Sequence, residues 1–179
     1  QRLVAGGGHE VSVYNVVEPG LRWVRQAVLH HDVPVLAINW AACDLWIGGA
    51  VLSRWSDPAG GGWIKTWNRP LAQPVCYIAA SPDGTHVATA GESDRLVKVW
   101  QLQSKPGGEA HYDFAYLRHP AVIKSLEWRP PERAMHTPEP PRHVGDDVGG
   151  FNGGSGDAAI LLTLCEDGIP RLWRNTMQS

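Results

Sequence analysis

The chain has 179 residues, 43% of them apolar and 19% charged, and a formal net charge of −2. That composition can bury a core, which excludes wholesale disorder, and near-neutrality speaks against a dedicated nucleic-acid binder, which would be basic. No apolar run approaches the ~20 residues that a membrane-spanning helix needs.

Two departures from average composition point to the fold. Gly (20) and Pro (14) together make up about 19% of the chain, against a usual ~12%. Trp supplies nine of the aromatic residues, where Tyr and Phe supply four and two. Frequent turns and large flat side chains fit many short strands better than helices. The opening QRLVAGGG reads as mid-domain sequence, with neither an initiator Met nor a signal peptide. Cys43, Cys76 and Cys165 show no CxxC spacing, which fits reduced thiols in a cytoplasmic protein better than disulfides or zinc.

In chain order, RLVAGGGHEVSVY reads as two strands and a turn ending at Tyr14, and Leu21–Leu29 as the strand that follows. Val35–Trp40 reads as an inner strand, DLWIGGAVLSRW as a hairpin ending at Trp55, and Gly62–Trp67 as an outer strand. Val75–Ala80 opens the clearest unit. The turn Ser81-Pro82-Asp83-Gly84 follows, then a strand at His86–Ala90, a polar turn at Glu92–Asp94 and a strand at Leu96–Trp100. Tyr112–Leu117 and Val122–Trp128 repeat the outer and inner strands, and AAILLTLCEDGIPRLW ends the series at Trp173.

Strand, turn, strand, turn, strand with a terminal aromatic residue is the grammar of a WD-repeat propeller blade. The blade ends fall at 14, 55, 100 and 173, spaced by 41, 45 and 73 residues; the first two spacings match a blade of ~40–45 residues. The excess in the third is matched by residues 130–157, a 28-residue stretch with eleven Pro or Gly. That stretch reads as a flexible insertion within the last blade. The expected fold is therefore all-β: a WD-repeat β-propeller fragment of about three and a half blades, forming an open arc. Its uncovered edges should make the isolated chain marginal or prone to self-association.

Six residues before each blade end stands Asp94 or Asp167 in the regular units, and Gly8 or Gly49 in the degenerate ones. Structural hydrogen-bond sets are expected where a buried indole or hydroxyl needs a partner. The candidates are Thr89, Asp94 and Trp100 in one blade, and His119, Thr163, Asp167 and Trp173 in the next. Gln73 stands nearest the His position of the former blade. Trp40 and Trp128 are candidates for packing between blades, and Trp23, Trp46, Trp63 and Trp67 for core or contact surfaces.

Catalytic patterns are missing from the sequence. Gly6-Gly7-Gly8 has no GxxxxGK[ST] context, and Ser81 no GxSxG context. His30-His31-Asp32 reads as a surface turn, with no further metal ligands at suitable spacing. His111, His119, His136 and His143 are scattered, and Arg129, Arg133 and Arg142 alternate with acids. No enzyme, cofactor or metal site is expected.

The wording of three segments is more specific. DRLVKVW (Asp94–Trp100), DFAYLRHPAVIKSLEWR (Asp113–Arg129) and, after the insertion, LLTLCEDGIPRLWR (Leu161–Arg174) resemble the N-terminal propeller region of the DmX-like / rabconnectin-3 family. The likeness is strongest to its fungal members, the large WD-repeat subunits of RAVE complexes, and VLAINWA and IKTWN are similar too. The resemblance implies a non-catalytic scaffold that promotes assembly of the vacuolar H+-ATPase through protein–protein contacts. Its partners would be the other RAVE subunits and peripheral-sector pump subunits, with cytoplasmic localisation and peripheral association at vacuolar or endosomal membranes. Another WD-repeat scaffold, such as a ubiquitin-ligase substrate receptor or a vesicle-coat component, is the alternative, since the fold alone chooses no function.

Overall fold

The computed structural model describes residues 2–18, 22–41, 43–58, 60–103, 111–129 and 159–174. The expected insertion at 130–157 lies outside them. All regular structure in the described residues is β, in four antiparallel sheets taken in chain order. The first holds β1 (Arg2–Gly7), β2 (Glu10–Glu18) and β3 (Arg22–His30). The second holds β4 (Ala37–Ala41), β5 (Asp44–Gly48), β6 (Val51–Ser56) and β7 (Ile64–Pro70). The third holds β8 (Tyr77–Ala80), β9 (His86–Ala90), β10 (Leu96–Gln103) and β11 (His111–Arg118). The fourth holds β12 (Ile123–Trp128), β13 (Ile160–Cys165) and β14 (Pro170–Arg174). Each strand pairs with its sequence neighbour, the up-and-down meander of a propeller blade.

The sheets stack face to face in series through three separate cores. Val11, Val13 and Leu29 of the first meet Leu45, Ile47 and Trp55 of the second. Trp46 and Leu52 of the second meet Ile78, Val87, Trp100 and Tyr112 of the third. Ala88, Ala90 and Val97 of the third meet Ile123, Trp128 and Leu161 of the fourth. Among the described residues no core cluster joins the first sheet to the fourth, so the series is open, as a partial propeller should be.

A repeated backbone clamp ties each sheet to the next. The N–H groups of His31, Leu71 and His119, each one residue past an outer strand, donate to the carbonyls of His9, Ala50 and Arg95 at 2.9, 2.9 and 2.8 Å. Four residues on, the N–H groups of Val35, Val75 and Ile123 donate to the carbonyls of Gly8, Gly49 and Asp94 at 2.7, 2.9 and 2.9 Å. These three acceptors are the residues six before each aromatic blade end. β4 and β8 begin at Ala37 and Tyr77, two residues after the expected Val35 and Val75, whose N–H groups are spent on the preceding sheet. Ile123, which makes the same bond, is by contrast already the first residue of β12.

Glycine in this region has two distinct reasons. Gly8 turns with φ 59°, where a side chain is strained. Gly49 instead lies under the chain entering β4: a Cβ there would stand 2.2 Å from the Pro34 carbonyl oxygen. Gly49→Ala should therefore cost about 1–3 kcal/mol in urea unfolding, because backbone and not a pliable side chain must yield. Gly61→Ala, which meets nothing within 4 Å, should stay within about 0.5 kcal/mol of the parent protein.

Candidate functional site

Threonines on the second strand and tryptophans on the third meet diagonally across adjacent strands. In the third sheet the Trp100 indole N–H donates to Thr89 Oγ1 at 3.0 Å, and both side chains are buried. Asp94 does not join them. Its Oδ2 accepts the Gly91 N–H at 2.8 Å and so caps its own turn, while its carbonyl serves the clamp. Nor does Gln73 occupy the histidine position, since the clamp places Leu71 there.

The fourth sheet holds a longer relay. Trp173 Nε1 donates to Thr163 Oγ1 at 3.0 Å, and Thr163 Oγ1 lies 2.8 Å from His119 Nε2. His119 Nδ1 lies 3.0 Å from the Leu117 carbonyl, which can only accept. Nδ1 therefore carries the proton, and Nε2 accepts the Thr163 hydroxyl. The imidazole is neutral and fully satisfied, tilted on the Trp173 ring at 5.2 Å. Asp167 stands apart from the relay, ion-paired with Arg171 at 2.7 Å and accepting the Ile169 N–H.

The second sheet contains a variant that sequence reasoning missed. Ile47 occupies the position of Thr89 and Thr163, so the second strand offers no hydroxyl. Ser53, on the third strand, supplies one instead: its Oγ accepts the Trp55 indole N–H at 3.1 Å and donates to the Ile47 carbonyl at 3.4 Å. His31 packs edge-on to Trp55 at 5.4 Å, as His119 packs on Trp173, but among the described residues its buried Nε2 has no hydrogen-bond partner. The equal clamp spacing of His31 and His119 was the signal available in the sequence.

Trp40 is half-buried beside the core between the first and second sheets, tilted on Trp63 at 5.6 Å. Trp128 packs between the third and fourth sheets, and its indole N–H donates across them to the Ala79 carbonyl at 2.9 Å. Asn39 Oδ1 accepts the Ala80 N–H at 3.1 Å, joining the second sheet to the third. Arg54 does the same, donating to the Tyr112 hydroxyl at 2.8 Å while paired with Asp44.

The seam between the second and third sheets carries an aromatic ladder. Trp46, Trp67, Tyr112 and Trp100 lie with ring centroids 4.8–5.8 Å apart. The ladder continues to the surface through Phe114 and Tyr116, 42% and 55% exposed. Trp23, at 46%, is exposed on the first sheet, whereas Trp46 is buried. Cys43, Cys76 and Cys165 are free thiols. Among the described residues no group of three or more His, Cys, Asp or Glu is gathered to hold a metal, and no helix is long and apolar enough to cross a membrane.

Burial lowers the pKa of His31, His86 and His119 below their ordinary 6.5; Lys65 adds to the effect at His31, while Asp83 opposes it at His86. Below about pH 6.5 the unfolded chain then binds more protons than the folded one, so stability falls as the solution is acidified through that range. Urea midpoints should drop between pH 7.5 and 5.5, and His119→Asn should flatten the drop. Thr163→Val at pH 7.5 should cost about 1–3 kcal/mol, because it leaves the buried His119 nitrogen and the half-buried Trp173 indole without their shared partner.

Comparison with known proteins accords with this geometry. No protein-family model matches the chain. Mouse DmX-like protein 1 is 30% identical over 98% of the chain, and human DmX-like protein 1 is 30% identical over 65%. The Regulator of V-ATPase in vacuolar membrane protein 1 of Saccharomyces cerevisiae is 30% identical over 85%. The chain spans only 7%, 4% and 10% of those proteins, respectively. Among solved structures, the β-propeller domain of Myceliophteria thermophila Cps50 (Swd1) matches with TM-score 0.61 and 12% identity, covering 98% of this chain and 50% of that one. A chain of a mitotic checkpoint complex matches with TM-score 0.56 and 14% identity, covering 92% and 42%. By fold a stretch of WD-repeat β-propeller, by sequence the chain belongs with the DmX-like proteins and the yeast V-ATPase regulator.

Proposed function

We propose that this chain is a non-catalytic scaffold segment that promotes assembly of the vacuolar H+-ATPase by binding proteins. The observation that carries the reading is the 30% identity to the yeast regulator over 85% of the chain. The physical arrangement supports the same direction. The polar groups that sequence reasoning singled out are engaged inside the fold: Thr89 and Thr163 accept tryptophan N–H groups within their own sheets, His119 bonds Thr163, and Asp167 pairs with Arg171 at a turn. What remains for partners is surface: sheet edges, loops and exposed aromatic rings. Its partners on this reading are the other subunits of a RAVE-type complex and the peripheral-sector subunits of the pump, met at the cytoplasmic side of vacuolar or endosomal membranes.

Affinity capture of the intact protein from its own cells should recover peripheral-sector pump subunits, and removing the protein should raise the pH of acidic organelles. Capture without pump subunits, together with unchanged organelle pH, would overturn the proposal.

A further inference from the structure

The outer end of the aromatic ladder holds two cations over the same rings. Lys98 Nζ stands 3.9 Å from the Trp100 ring centre, 3.6 Å from that of Phe114 and 5.7 Å from that of Tyr116. Arg69, reaching over from β7, places its Cζ 5.8 Å from Trp100 and 5.9 Å from Phe114. The residues form one notch because the register puts Lys98 opposite Tyr116 and Trp100 opposite Phe114 on a single face of the third sheet. Trp100 is its buried floor, and Phe114 and Tyr116 are its exposed wall.

The charge in this notch is unbalanced. Elsewhere Arg2, Arg54, Lys124 and Arg171 each pair with a carboxylate. Among the described residues no carboxylate pairs with Lys98 or Arg69. The nearest acid along β11, Asp113, lies on the opposite face by strand alternation and contacts His111 at 3.1 Å. Ring faces attract both cations, yet the two repel each other, and burial together with Arg69 draws the Lys98 ammonium below its ordinary pKa. An anion between them would relieve that repulsion and form charge-assisted hydrogen bonds to both.

We propose that this notch docks an extended acidic segment of a partner protein, with a Glu or Asp carboxylate seated between Lys98 and Arg69. Apolar side chains of the same segment pack on Phe114 and Tyr116. Charge complementarity selects the acid, and the exposed rings select a peptide over a bare anion by offering apolar contact beside the charge. An extended segment fits because, among the described residues, β11 pairs only with β10, so its outer edge offers backbone groups for strand addition. The proposal is independent of which complex the protein serves.

The test is fluorescence polarisation on the intact protein with an unphosphorylated fluorescein-labelled peptide that alternates Glu with Leu. Saturable binding is expected at low salt, weakening as NaCl screens the contact. Arg69→Gln, at an exposed position, and Lys98→Gln should together weaken binding by about tenfold or more. Phe114→Ala with Tyr116→Ala should weaken it several-fold, while Lys124→Gln on the fourth sheet should leave it unchanged. No saturable binding, an equal loss in the Lys124→Gln variant, or binding only of a phosphoserine peptide or of phosphatidylserine vesicles would each overturn the proposal.

Discussion

Everything in this structure hangs on a small backbone clamp repeated at each junction between sheets. A sheet of three or four strands with one apolar face cannot stand alone in water, and these sheets are apolar on both faces where they are inside the series. Each must therefore be held at one distance and angle against its neighbour. Two adjacent carbonyls in the turn leading into β2, β6 and β10 take the two N–H groups that bracket the crossing chain. A single bond of this kind contributes only about 0.5–1.5 kcal/mol net. Its larger effect is to fix where the next inner strand starts, and so which side chains enter the core. Because the cores among the described residues lie between neighbouring sheets, stability propagates from sheet to sheet as in other repeat architectures.

The clamp shows why so much of the fold was legible in the sequence. The interval of six residues before each terminal aromatic residue marked a constant backbone position, and the structure gives that position a task. The task belongs to the carbonyl, which every residue possesses. Asp94 can therefore become Gly8 or Gly49 without loss of the junction, and degenerate repeats still stack. What could not be read was the job of the aspartate side chains. Asp94 caps its own turn and Asp167 pairs with Arg171 at the turn between β13 and β14.

Buried hydroxyls were legible only where they kept their usual strand. Thr89 and Thr163 stand where the repeat puts them, and each accepts an indole N–H. Ser53 does equivalent work from the neighbouring strand, opposite Ile47 in the ladder. A pattern search by position misses it, because hydrogen-bond satisfaction is a matter of space and either strand of the pair can supply the oxygen. His31 is the same lesson in reverse: it keeps the position and the ring contact of His119, yet Thr163 has no counterpart for it, and its Nε2 has no hydrogen-bond partner among the described residues. The cation-bearing aromatic notch was invisible for a different reason: Arg69 and Lys98 lie on different sheets and meet only where the second and third sheets stack.

A scaffold of this design separates holding from binding. Polar side chains near the cores hold the sheets in place, which leaves edges and surface rings exposed; on the proposed reading these are what recognise other proteins. All of it presupposes that the junctions are closed. Residue-resolved hydrogen exchange of the Val35, Val75 and Ile123 amides probes them directly. Protection equal to that of the ladder amides inside β5 and β9 is expected. Exchange of these three amides as fast as that of exposed edge-strand amides would contradict the clamp and the serial stacking built on it.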